Sequence, residues 1–194
     1  MEGLDRSLKN LEFDYVDVLF CHRYDDETPT EEVCYAMKDI LNSGKAFYWA
    51  TSEWPPIRIM EAIHICDKIG CPRPIAEQCQ YNMFNRDYLE KDLAVLTDDY
   101  GYGTTVWSPL ASGILTGKYN ESIPEGSRFS HHERTKARHY DTLMSEKNRA
   151  DTVDKLNKLR DIGIELGCSL GQLAIAWTMT LNDVSTVLLG ASSA

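Results

Sequence analysis

An α/β fold, with parallel strands alternating with helices, is what this sequence predicts. Three observations carry that expectation. Five β-branched or aromatic runs alternate with stretches whose apolar residues recur at helical spacing. The runs are apolar on both faces, as in strands covered by helices on each side. In all five cases the run ends on polar, aromatic or small residues, as at a ligand-binding mouth.

The elements follow in order. "RSLKNLEF" has the helical spacing and is broken by Asp14. "YVDVLFCH" is a strand. Thr28 or Thr30 then caps a helix, with Pro29 near its first turn and Glu31 and Glu32 at the positive end of the helix dipole. Its apolar positions Val33, Met37, Ile40 and Leu41 keep the 3.6 period, and Gly44 stops it. "AFYWATS" is the second strand. Pro55 and Pro56 open the helix "IRIMEAIHICDKIG", which a glycine ends. "IAEQCQYNMF" reads as strand, "DYLEKDLAVLTDDY" as helix and "GTTVWSPL" as strand. From about Ala111 to Thr142 glycines, a proline and scattered charge predict a loop. "KNRADTVDKLNKLRDIGIELG" is a long helix. "SLGQLAIAWTMT" is another, with Ser169 as its cap, and "VSTVLLGA" is the last strand.

Two architectures fit this alternation, an open doubly wound sheet and a β/α barrel. The dinucleotide fingerprint G-x-G-x-x-G is absent, and "GYG" at 101–103 precedes a strand instead of following one, which weighs against the open sheet. In a barrel, active residues stand where strands end. Here those ends are His22-Arg23, Thr51-Ser52-Glu53, Gln78 to Tyr81, Trp107-Ser108 and Gly190-Ala191-Ser192.

Each candidate has two readings. His22 is either a satisfied histidine at a strand tip or a group that hydrogen-bonds a substrate carbonyl and relays a proton. Ser52 and Gln78 supply an alcohol and an amide, the groups that grip a carboxamide, and equally the groups of an ordinary loop. Trp107 is core, or a flat surface for stacking a nicotinamide or flavin ring. In "SPLASGILTGKY" glycines allow backbone to approach phosphate, and Lys118 followed by Arg128 would neutralise it. "HHER" at 131–134 reads as solvated loop.

Composition narrows the function classes. The 194 residues are 43% hydrophobic and 26% charged, ordinary for a globular domain. A net charge of −10 argues against a nucleic-acid or anionic-membrane surface without excluding a local basic pocket. No apolar run approaches the ~18 residues of a spanning helix, so direct membrane insertion is not expected. The start, "MEGLDRSLKNLEFDY", has acids where a secretory signal needs basic and then apolar residues, so a cytoplasmic protein is expected. Six cysteines without a C-x-x-C read as buried, reduced thiols, and "HICDKIGC" lacks a fourth ligand for zinc.

Taken together, "DYVDVLFCHRYDDETPTEEV", "AFYWATSEW", "AEQCQYNMF", "TVWSPLASGILTGKY", "LAIAWTM" and "VSTVLLGASSA" resemble the aldo-keto reductases. Within them the resemblance is to the branch containing the beta subunits of voltage-gated potassium channels and their plant and microbial relatives. It covers nearly the whole chain. It implies a (β/α)8 barrel of TIM type that binds NADPH without a dinucleotide-binding domain. About five of the eight strand-helix units, the fourth to the eighth, are expected here, so residues 1–194 would be an oxidoreductase domain incomplete at both ends.

The resemblance also implies roles. His22 matches the active-site His or Asn beside the substrate carbonyl, in the form similar to catalytic reductases. Ser52 and Gln78 match contacts to the nicotinamide carboxamide, and Trp107 the aromatic stacked on that ring. Ser108, Pro109, Leu110, Ala111, Ser112 and Gly113 match the loop along the cofactor, with Lys118 and Arg128 at its phosphates. Gly190 and Ser192 match the start of the adenosine-phosphate site. Glu53 and Gly126 depart from the channel subunits, which have Arg and an aromatic there.

The family's catalytic Asp, Tyr and Lys fall before the point resembling Met1. Three functions follow as expectations: an NADPH-dependent reductase of small aldehydes and ketones, impaired for want of its proton donor; a non-catalytic, cofactor-sensing partner of a potassium-channel alpha subunit, self-associating as a tetramer; or a truncated product without independent activity.

Overall fold

The computed structural model describes residues 2–190. Its elements alternate as the sequence predicts. Helix α1 (Glu2–Leu11) leads to β1 (Val16–Cys21), α2 (Thr30–Asn42), β2 (Ala46–Ser52), α3 (Pro56–Ile69) and β3 (Ala76–Gln80). A π-helical turn (Tyr88–Asp92), α4 (Ala94–Tyr100), β4 (Gly103–Trp107) and a 3-10 segment (Ala111–Thr116) follow. The short helices α5 (Arg128–His131), α6 (Glu133–Thr135) and α7 (Asp141–Leu143) flank a second π turn (Lys136–Tyr140). Helices α8 (Arg149–Glu165) and α9 (Leu170–Thr178) and strand β5 (Val184–Leu188) complete the described chain.

The strands form one sheet in the order β1-β2-β3-β4-β5. The β1–β2 and β2–β3 ladders run parallel, with Val18 opposite Tyr48 and Ser52 opposite Gln78. Sheet order equal to chain order has no point of reversal, which a doubly wound sheet requires. Of the two architectures the sequence left open, this is the succession found in consecutive units of a (β/α)8 barrel.

Two compact units divide the chain: residues 1–79 with 87–105, and 80–86 with 106–194. In the first, Leu4, Leu8, Ile40 and Ala46 pack together under Val16, Leu19, Met37 and Leu41. In the second, Ile114, Leu115, Tyr119, Phe129, Leu156, Leu170 and Ala174 form the core. Cys34, Cys66, Cys71 and Cys79 are buried, Cys21 and Cys168 half-buried, and all six are free thiols.

The structure corrects several details. Neither Thr28 nor Thr30 caps α2. Pro29 holds that position; the Thr28 hydroxyl donates to Asp25 at 2.7 Å and Thr30 to Glu61 at 3.0 Å. Helix α1 ends at Leu11, before Asp14, because Glu12 turns left-handed (φ 57°) and the Phe13 amide donates back to the Leu8 carbonyl. The helix expected over 87–100 is broken into a π turn and α4 by the Leu93 amide, which donates to the Tyr88 carbonyl. The third strand is half the length of its apolar run. The loop expected over 111–142 contains five short helical pieces. The Ser169 cap is present as a full capping box with Gln172. The edge strands β1 and β5 are only partly covered, unlike the fully buried strands that their apolar sequences suggested.

Candidate functional site

In the first unit the ends of β1, β2 and β3 are tied together. His22 is exposed just past β1. Arg23 Nη1 donates to the His22 carbonyl (2.9 Å), the Ser52 carbonyl (3.3 Å) and Ser52 Oγ (3.1 Å). Ser52 Oγ in turn donates to the Gln78 carbonyl at 3.0 Å, and Gln78 Nε2 reaches Thr105 Oγ at 3.4 Å. One guanidinium and one hydroxyl therefore fix three neighbouring strand tips. Beneath them lies Glu77, fully buried, which accepts from the Thr51 hydroxyl and the Glu53 amide. The Thr51 hydroxyl also lies 2.8 Å from that of Tyr102. Burial pushes the Glu77 carboxyl up to about 7, against the pull of its donors.

In the second unit a cavity of about 940 Å³ opens beside the end of β4. Its wall includes Trp107, Ser108, Pro109, Leu110, Ser112, Gly113, Lys118, Arg128 and Gly190. Arg134, Arg138, His131, His132 and His139 join them. Among the described residues no aspartate or glutamate lines it, in a chain whose net charge is −10. The Arg138 guanidinium lies over the Trp107 indole, 5.7 Å from the ring centroid. His139 is buried, and desolvation, then Arg138 and Arg128, lower its pKa, so it stands neutral among the cations.

The loop after β4 has an unusual backbone. Ser108, Ala111 and Ser112 take positive φ values of 58°, 47° and 58°, and Gly113 follows at 99°. Such clustering of left-handed residues is held by surrounding structure and concentrates at ligand sites. Here Asn82 Nδ2 donates to the Ser108 carbonyl at 3.0 Å, and Ser108 Oγ accepts from the Ser112 amide at 3.2 Å. A Cβ on Gly113 would stand 3.0 Å from Lys118 Cε and 3.3 Å from its Nζ, so glycine lets the lysine lie along the loop.

The cavity thus gathers nine of the residues singled out in the sequence. Ala111 is not among its walls and packs in the core with Ile114 and Leu115. His22, Ser52 and Gln78 belong to the first unit. Ser192 lies outside the described residues. Trp107 is half-buried, whereas Trp49 and Trp54 are core. Sequence reasoning missed Glu77, Arg134, Arg138 and His139. The "HHERTKARH" run carried the signal of Arg134, Arg138 and His139, but a run of mixed charge looks the same whether it faces solvent or a pocket.

The residues suit a phosphate-bearing, flat-ringed ligand on three counts. The wall carries cations and no carboxylate, a half-exposed indole stands at one strand end, and Ser127 Oγ is buried in the wall without a hydrogen-bond partner. Comparison with known proteins gives the context. The model of the aldo/keto reductase family matches residues 1–194. A protein from Schizosaccharomyces pombe, provisionally named as a voltage-gated potassium channel subunit beta, is 48% identical over 192 residues. Proteins from Oryza sativa subsp. japonica and Arabidopsis thaliana, each named "probable voltage-gated potassium channel subunit beta", are both 46% identical over 193 residues. These alignments take in 99% of this chain and 55%, 57% and 57% of the three relatives, so the chain spans little more than half their length.

Proposed function

Because the chain belongs to the aldo/keto reductase family, we propose that it carries the NADPH-holding part of a carbonyl reductase. The observation that carries this reading is the cavity wall: an indole, a strained glycine-containing loop and four Lys or Arg side chains, with no acid. Lys118, Arg128 and the loop from Ser108 to Gly113 would hold the phosphates, Trp107 would stack on the nicotinamide, and Gly190 with Ser192 would begin the adenosine-phosphate contacts. Ser52 and Gln78 would take the carboxamide, and His22 would orient the carbonyl oxygen of a small aldehyde or ketone. Bound so, NADPH would supply a hydride to the carbonyl carbon.

Of the family's catalytic groups these residues assign only His22. General acid catalysis contributes ~10²–10⁴-fold, so binding without efficient turnover is expected of these 194 residues. The test is a fluorescence titration with NADPH. Quenching of the intrinsic emission is expected, and Trp107→Ala should weaken binding by about tenfold, the scale of one stacked ring. Unchanged affinity in that variant would remove the stacking role.

The names of the relatives favour a second reading. A cytoplasmic regulatory partner of a potassium-channel alpha subunit, assembled as a tetramer, could use the same bound cofactor as a sensor. None of the described helices is long and apolar enough to cross a membrane. Co-purification with a channel tetramerisation domain is the expected result; a monomer that ignores such a domain would count against it.

A further inference from the structure

We propose that Glu77 is a positioning residue for the nicotinamide end of the cofactor: its buried carboxylate clamps both flanks of Ser52 and so sets the Ser52–Gln78 pair. The inference rests on the carboxamide role given above to those two residues. Its geometry lies wholly within the first unit.

Glu77 precedes Gln78 on β3, pairs across the ladder with Thr51 and has no exposed surface. Its two oxygens take the Thr51 hydroxyl, before Ser52, and the Glu53 amide, after it, and the Trp54 amide adds a third donor. Glu53 is held at φ 56°, a left-handed turn that non-glycine residues adopt at a cost. The turn points two successive amides at one anion, the arrangement of a backbone nest. An ionised carboxylate is matched to three donors. A protonated one carries a hydrogen that competes with them and loosens the grip on the turn.

The titratable groups around Glu77 are Glu53 on the turn, Cys79 on β3, Tyr88 on the π turn and Tyr102 before β4, with Cys21 on β1 and Cys66 on α3 acting on Tyr102. Burial, its hydrogen-bond donors and the Glu53 charge are the largest influences on it. Burial pushes the Cys79 thiol and both phenols upward, so they stay neutral through slightly alkaline pH. With Glu77 brought to about 7, the clamp loosens as pH falls through neutrality.

The experiment uses the full chain and its Glu77→Gln and Glu53→Gln variants between about pH 5.5 and 8.5, with two readouts. In the absence of cofactor, the Glu53 and Trp54 amide resonances should move with a midpoint near 7 in the wild type and in Glu53→Gln, and stay fixed in Glu77→Gln. With NADPH, the dissociation constant should rise from pH 8 to pH 6 by about tenfold more in the wild type than in Glu77→Gln, the scale of one charge-assisted hydrogen bond. The cofactor's own titration is common to both and cancels.

Amides that do not titrate in the wild type overturn the clamp whatever the cofactor does. Amides that titrate while NADPH binds with equal pH dependence in both proteins overturn its positioning role and leave the cofactor reading standing. Amides that titrate in a chain that binds no NADPH at any pH overturn the cofactor reading, and the positioning role falls with it. Should Glu77→Gln fail to fold, Thr51→Val removes one donor and is expected to raise the amide midpoint; an unmoved midpoint would again sink the clamp.

Discussion

Glu77 is the one fully buried acid among the described residues, and its effect on stability has a definite sign. A carboxyl whose pKa rises on folding holds its proton more tightly in the folded state. Its favourable contribution is complete below its ordinary value near 4.5, fades as pH rises towards 7, and is absent above that. The displacement corresponds to about 3 kcal/mol at most. The melting temperature of the wild type should therefore fall between about pH 5 and 7.5 by a component missing from Glu77→Gln, measured by calorimetry. A pair of equally sloped profiles would contradict it. The group that serves the turn when ionised thus destabilises the whole by being ionised, a conflict expected where local strain serves a site. None of this was legible in "IAEQCQYNMF". Gln78 stood out because an amide at a strand end has an obvious use, while a glutamate in an apolar run gives no sign of whether it lies inside or outside.

Among the elements, the strands were the most legible. Val, Phe, Tyr and Trp in "YVDVLF" and "AFYWAT" have one comfortable conformation, and parallel pairing needs no further signal. The Ser169 box was equally plain, because the cap and Gln172 are three residues apart and satisfy each other locally. The stretch after β4 was not legible. Its single turns are each shorter than an independently stable helix, so packing of Phe129 and Tyr140 around Tyr119 decides them. The loop from Ser108 to Gly113 was recognised by its glycine, but its left-handed serines were not, since nothing in "WSPLAS" announces them. Gly113→Ala should be costly there. It places a side chain at φ 99° and drives Lys118 off the loop. A loss of about 1–3 kcal/mol in denaturant unfolding is expected, with weaker NADPH binding. Unfolding at the wild-type midpoint would show that the loop yields.

At the scale of the whole molecule, charge and chemistry are distributed unevenly. A chain of net charge −10 concentrates an acid-free wall around one cavity. Apolar surface is uneven too: Phe13, Tyr15, Phe47 and Tyr48 are exposed where β1 and β2 begin, with the Tyr15 and Phe47 rings 4.9 Å apart. Aromatic rings in such a position favour association with another surface. The free thiols follow the same unevenness, and that has a practical outcome. Burial raises Cys71 to about 12 and Cys79 further still, and holds the half-covered Cys21 at about 11, while the Cys34 thiol beside it and then burial raise Cys66, so almost none of these sulfurs is thiolate at neutral pH. Iodoacetamide at pH 7.5 should accordingly alkylate Cys168 first, seen as a single added mass mapped by peptide digestion; simultaneous modification of the buried sulfurs would contradict the packing. Cys168 directly precedes the capping serine of α9. A maleimide dye could be attached there with no engineered mutation, giving a spectroscopic reporter on the half of the chain that holds the cavity.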